Sequence, residues 1–155
     1  MDLLFAFNQA SFALGNEMAA RLAEVGISPR QYCVLRTARE EELTQIRLAE
    51  KSMLDKTTMV VTLDELERAG LAERRPSPAD RRARIVAVTD KGAAAVDAGR
   101  RIVEELQAEL LASVPPELRP AFLEGLEALV GGPLASPSHV ERAMRRPRER
   151  ALVPN

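Results

Sequence analysis

The 155-residue chain is poor in the residues that most often carry chemistry. It has one cysteine, one histidine, one tyrosine and no tryptophan, and aromatic residues make up 3% of it. A single cysteine, Cys33, excludes an intrachain disulfide and fits a reducing cytoplasm. His139 has no second soft ligand near it in the sequence, so no metal site is expected. So few aromatic residues argue against a carbohydrate site or a stacking platform for single-stranded nucleic acid. No apolar run approaches the roughly 18 residues of a membrane span. The opening MDLLFAFNQASFALGNEM lacks the basic region of a signal peptide. Neither a glycine-rich phosphate loop nor a nucleophile elbow is present. Catalytic residues, a cofactor and a membrane partner are therefore not expected, and the chain reads as a cytoplasmic protein.

What remains is a helix-forming composition, 46% hydrophobic and rich in Ala, Leu, Glu and Arg, with a net charge of −1. The charge is unevenly placed. Residues 43–91 hold ten basic and eight acidic side chains, whereas residues 92–130 hold three and seven. Six arginines lie between Arg68 and Arg84. Such a chain can present one cationic face while remaining soluble, although an incidental, solvated arginine loop would have the same composition.

The order of local signals is more specific. Residues 2–25 read as a helix. Leu3, Leu4, Phe5, Phe7, Phe12 and Leu14 leave its first half without a clean polar face, which points to burial against a partner subunit. Gly26-Ile27 is a helix stop. Ser28-Pro29-Arg30-Gln31 restarts a helix with a capping box and a first-turn proline, and Val34, Leu35 and Ala38 face inward. Thr44 caps a short helix, Gln45–Lys51, that should place Ile46, Leu48 and Ala49 near the core. After a turn at 52–54, Asp55 caps Lys56–Ala69. Met59, Leu63 and Leu66 recur at helical spacing and face the core, so Thr57, Thr58, Val61, Thr62 and Glu65 form the outward face. Gly70-Leu71 closes that helix. Two strands follow, 71–75 and 84–88, joined by an eight-residue connection carrying Asp80, Arg81 and Arg82. Thr89 caps a long helix over 90–112, with Val96, Ile102, Val103, Leu106 and Leu110 on its apolar side. A last core helix ends near Val130, and both Pro116 and Pro120 suit its first turn.

Two short helices across a tight turn, the second with hydroxyl residues outward, followed by a cationic hairpin, match a winged helix-turn-helix. The fold expected is mainly α with a small β-hairpin wing, between N- and C-terminal helices. Residues 1–27 and 93–130 would form those flanking helices and 28–92 the DNA-binding domain. Residues 131–155 would form a Pro- and Arg-rich tail with a candidate short helix at 138–146. The tail's Arg142, Arg145, Arg146, Arg148 and Arg150 suit either phosphates or the partner's acidic helices, with ordinary disorder as the alternative.

The fragments Leu48-Ala49-Glu50, Asp55-Lys56-Thr57-Thr58, Leu66-Glu67-Arg68-Ala69-Gly70-Leu71, Glu73-Arg74-Arg75, Asp80-Arg81-Arg82-Ala83 and Val88-Thr89-Asp90-Lys91-Gly92 resemble the signature of the MarR family of transcriptional regulators. Each fragment alone is weak, but they are collinear over about residues 28–112. The resemblance implies a homodimer whose N- and C-terminal dimerisation helices, residues 1–27 and 93–130, flank two winged helices that grip double-stranded DNA over a pseudo-palindrome, and a repressor released by a ligand. It implies Lys56–Ala69 as the recognition helix. It makes Arg82 the minor-groove reader, with Asp80 steadying it and Arg81 and Arg84 on phosphates. Val60-Val61 stand where many members carry a polar or basic residue. Base contacts therefore fall to Thr57, Thr58 and Thr62, a phosphate contact to Lys56, and a thymine-methyl contact to Val61. Family members often bind small aromatic or phenolic acids, and Phe12, Asn16, Tyr32 and Arg36 have suitable chemistry for one. Core and surface roles explain those four residues equally well. Two alternatives stay open: a thiol-based redox sensor acting through Cys33, for which a small packed residue is the plainer reading, and a winged-helix protein-interaction module without DNA binding.

Overall fold

The computed structural model describes residues 1–77 and 83–136. Its elements are α1 (Leu3–Ala23), α2 (Pro29–Glu40), α3 (Gln45–Lys51), α4 (Lys56–Arg68), β1 (Ala72–Pro76), β2 (Arg84–Val88), α5 (Asp90–Ala112), a 3-10 turn (Pro116–Leu118) and α6 (Arg119–Gly131). The chain divides into two units, Met1–Leu111 and Ala112–Asn155. Asp80, Arg81, Arg82, His139, the tail arginines and the candidate helix at 138–146 lie outside the described residues. Among the described residues no helix is long and apolar enough to cross a membrane.

The helix boundaries follow their capping chemistry. Ser28 and Gln31 form the reciprocal capping box, with Gln31 N–H donating to Ser28 Oγ at 3.2 Å and Ser28 N–H donating to Gln31 Oε1 at 2.9 Å. Thr44 and Asp55 cap α3 and α4 through their side-chain oxygens. Three helices close with the same pair of bonds, in which the amides beyond the helix turn back to its last carbonyls. These bonds run from Gly26 and Ile27 to Ala23 and Leu22, from Met53 and Leu54 to Glu50 and Ala49, and from Gly70 and Leu71 to Glu67 and Leu66. The closure requires a left-handed residue, and Gly26 and Gly70 supply it at φ +76° and +69°, whereas Met53 adopts φ +52°.

The core of the first unit gathers Leu22 and Ile27, Tyr32, Val34, Leu35 and Ala38 of α2, Leu48 of α3, Met59, Leu63 and Leu66 of α4, Val86 of β2 and Val96 of α5. Ile102 and Val103 pack at its edge and Leu106 is buried, while Leu110 is exposed. The residues expected inward on α2 and α4 are buried, and Tyr32 and Thr62 join them. Ile46 is a correction: it is 69% exposed, while Leu48 and Ala49 are buried. On a seven-residue helix only one stripe can face the core, and Ile46 lies on the other side.

β1 and β2 pair antiparallel in the register Ala72↔Val88 to Pro76↔Arg84. The sheet gains a third member that periodicity does not reveal. Thr44 bridges Ile85, and Val86 N–H donates to Leu43 O at 3.2 Å. A two-residue bridge leaves no alternating pattern to read in the sequence.

In the second unit both prolines open structure. Pro116 begins the 3-10 turn and Pro120 lies in the first turn of α6. The expectation of a core helix here is corrected, because α6 buries no residue and exposes Phe122, Leu123, Leu126 and Val130. The N-terminal half of α1 likewise exposes Leu3, Leu4, Phe5, Phe7, Phe12 and Leu14.

Candidate nucleic-acid interface

The turn between α3 and α4 delivers α4 with its N-terminus outward. Asp55 accepts two bonds from Thr58, one from the backbone N–H at 2.9 Å and one from the hydroxyl at 2.6 Å. The Thr58 hydroxyl and amide hold the Asp55 carboxyl below the ordinary carboxylate range, so it stays ionised at the positive end of the helix dipole. Lys56, Thr57 and Val61 are exposed on this face and Thr58 is half-buried.

Thr62 is a correction to the outward set. It is 0% exposed, and its hydroxyl donates to Thr58 O at 2.7 Å. It sits one residue from Leu63 and three from Met59, so it falls inside the apolar arc. The short polar side chain survives there by bonding the preceding turn. Glu65, also expected outward, is half-buried and accepts from Gln31 Nε2 at 3.1 Å, which ties α4 to the start of α2.

The hairpin is fastened to α4 by Arg74 of β1, a residue to which sequence reasoning assigned no role. Its guanidinium donates to Glu67 Oε2 at 2.7 Å, to Asp64 Oδ1 at 2.7 Å and to Val60 O at 3.2 Å. Its backbone N–H donates to Glu67 Oε1 at 2.8 Å. The two acidic side chains on that side of α4 thereby share one cation, which halves their net charge and lowers the repulsion a phosphate backbone would meet. The only trace in the sequence is the spacing of Asp64, Glu67 and Arg74 across the Gly70 turn.

The Thr89-Asp90-Lys91-Gly92 stretch locks the far end of α4. Thr89 Oγ1 accepts from Gly92 N–H at 3.0 Å, capping α5, and donates to Gly70 O at 2.7 Å. Lys91 Nζ donates to Ala69 O at 2.8 Å, a cation on the negative end of α4. Gly92 sits so close to the α4–β1 connection that a Cβ there would lie 2.0 Å from Leu71 O. Arg84 opens β2 and is exposed.

The four residues considered for a small-molecule site do not share an open wall. Tyr32 is buried, and its ring lies against Gly99 of α5, where a Cβ would come 2.7 Å from Tyr32 Cδ2. Tyr32 is therefore corrected to a core residue. Phe12 and Asn16 are exposed on α1, and Arg36 is exposed with Glu40 at 3.9 Å. Cys33 is half-buried on α2. Among the described residues no group of His, Cys, Asp and Glu could hold a metal ion.

Residues 25–83, from just after α1 through the helix-turn-helix and β1 to the residue before β2, match the MarR family. The matched stretch is similar to the MarR family over about two fifths of the chain. The chain is 30% identical over 86 residues to the uncharacterized HTH-type transcriptional regulator YdgJ of Bacillus subtilis strain 168, a match covering 56% of this chain. It spans about half the length of that curated relative, 52%. Solved structures resemble it over more of its length. The transcriptional repressor CouR, bound to a 23-mer DNA duplex, is 26% identical with a TM-score of 0.74, over 84% of this chain and 92% of that one. CouR from Rhodococcus jostii RHA1, bound to p-coumaroyl-CoA, is 26% identical with a TM-score of 0.73, over 90% and 96%. A MarR-family regulator from Rhodococcus sp. RHA1 is 25% identical with a TM-score of 0.72, over 83% and 91%.

Proposed function

We propose that this protein is a cytoplasmic, sequence-specific, double-stranded DNA-binding transcriptional regulator that acts as a homodimer, a repressor released by a small ligand rather than an enzyme. The observation that carries the reading is the joint presentation of the α4 N-terminal face and a hairpin pinned to it by Arg74. CouR, which shares the fold, has been solved on a DNA duplex, and this supports the same use of the motif here. The exposed apolar sides of α1 and α6 support assigning residues 1–27 and 93–130 to dimerisation. Residues 28–92 are then the DNA-binding domain and 131–155 a basic tail.

Within that domain Lys56, Thr57, Thr58 and Val61 would meet the major groove. Arg84 would meet phosphate. Asp80, Arg81 and Arg82 are assigned to the wing tip from sequence alone, with Arg82 reading the minor groove. Thr62 is withdrawn from the set because it is buried. CouR's complex with p-coumaroyl-CoA supports a phenolic effector, for which Phe12, Asn16 and Arg36 remain the candidates.

A gel shift of the full chain on its own upstream region tests this reading. Binding should fall steeply as salt rises, because phosphate contacts release counterions, and a phenolic acid or its thioester should release the DNA. Absence of binding to any duplex at low salt would reject the reading in favour of a protein-interaction module.

A further inference from the structure

Most polar groups around Val61 are already engaged within the protein. Val61 is 47% exposed near the middle of the outward face of α4. Its helical neighbours three and four residues away are Thr57, Thr58, Asp64 and Glu65. The hydroxyl proton of Thr58 goes to Asp55 Oδ2 at 2.6 Å, leaving that oxygen only as an acceptor. Asp64 is held by Arg74 at 2.7 Å, and Glu65 accepts from Gln31 at 3.1 Å. Thr62, the other hydroxyl of this turn, is buried and bonded to Thr58 O. Thr57 is the exposed hydroxyl among them.

In the major groove, guanine offers only acceptors, and a helix selects it with donors. Thymine adds the one apolar group on any base edge, the C5-methyl. At Val61 itself, with Thr58, Asp64 and Glu65 engaged and Thr57 the one exposed hydroxyl beside it, the face offers no donor to select guanine and is well suited to a methyl. Resting on the DNA-binding reading above, we infer that Val61 determines specificity by packing on a pyrimidine C5-methyl group, so the operator is read at this position as thymine by its methyl and not by a hydrogen bond. A duplex carrying 5-methylcytosine at that position presents the same methyl.

The test uses the full chain and a duplex selected from a randomised library. Each thymine is replaced singly by deoxyuridine, which removes the methyl and leaves every hydrogen-bonding group in place. Dissociation constants are measured by fluorescence anisotropy at fixed salt. One thymine per half-site should show a loss of about fourfold, the value of one buried methyl. That loss should disappear in Val61→Ala, whose exposed position makes misfolding easy to exclude by circular dichroism. If a tightly bound duplex tolerates uracil at every thymine, methyl reading is overturned while DNA binding stands. If the uracil loss persists undiminished in Val61→Ala, the assignment to Val61 is overturned. If no duplex is selected at all, the DNA-binding reading itself fails, and the inference fails with it.

Discussion

Glu67 holds Arg74 at two points, accepting its backbone N–H on Oε1 at 2.8 Å and its guanidinium on Oε2 at 2.7 Å. One carboxylate therefore fixes both the strand's path and its side chain against α4. The same guanidinium reaches Asp64 and Val60 O, so α4 and the first wing strand move as one piece. A winged motif needs this rigidity if helix and hairpin are to meet one duplex in register.

Arg74→Ala should cost about 2 kcal/mol in folding stability, since it removes several charge-assisted bonds at a partly buried site and leaves two carboxylates unpaired. Arg74→Lys should recover little, because a single ammonium cannot fork to two carboxylates and a carbonyl. Urea denaturation measures both variants. DNA affinity should fall further than stability predicts, from the uncovered negative charge on α4.

Gly92→Ala should destabilise the fold by on the order of 3 kcal/mol, visible as a lowered melting temperature. The added Cβ would meet a backbone carbonyl 2.0 Å away, and the Thr89 and Lys91 caps hold that carbonyl's segment in place.

Met53→Gly should raise stability by about 1 kcal/mol, because Met53 occupies a left-handed conformation that disfavours a Cβ. Met53 is 91% exposed, so little packing is lost with its side chain. Thermal melts of the two proteins check the sign.

Thr62→Val should leave DNA affinity unchanged and alter stability by no more than about 1 kcal/mol, the net value of one hydrogen bond. Its hydroxyl bonds a carbonyl within its own helix, and its side chain is enclosed by the core. A large fall in affinity with normal stability would return Thr62 to the interface.

Stability should decline in acid through three carboxylates. Thr58 lowers the pKa of Asp55, Arg39 that of Asp97 and Arg21 that of Glu109. Because these folded pKa values lie below the unfolded ones, the unfolded chain takes up protons first. Their contribution is present above the ordinary values of 3.8 and 4.5 and is lost as pH falls through the folded values. Arg21→Met and Arg39→Met should flatten the acid limb of a urea-midpoint profile without reversing it.

Local chemistry was legible from the residues alone wherever one signal sufficed. Ser28 with Gln31, Thr44, Asp55 and Thr89 mark helix starts, and Gly26 and Gly70 mark stops, because caps act within four residues of chain. Met59, Leu63 and Leu66 identify the inward stripe of α4 for the same reason, since a helix repeats its face every turn. Ile46 and Thr62 were misplaced because they lie where periodicity alone does not settle the face. A seven-residue helix gives too few repeats to place Ile46. At Thr62 polarity suggested water, while a bond to Thr58 O made burial acceptable.

By itself, the sequence determined the element order, the caps, the cationic middle and the family resemblance carried by the fragments from Leu48 to Gly92. Only the tertiary structure decided that Arg74 joins strand to helix, that Leu43 and Thr44 extend the sheet, that Tyr32 belongs to the core and that Gly92 has no room for a side chain. The first group depends on interactions between near neighbours, which any stretch of chain carries with it. The second depends on which distant surfaces meet: whether Arg74 finds two carboxylates, or Gly92 a carbonyl, is settled when α4, β1 and α5 pack together.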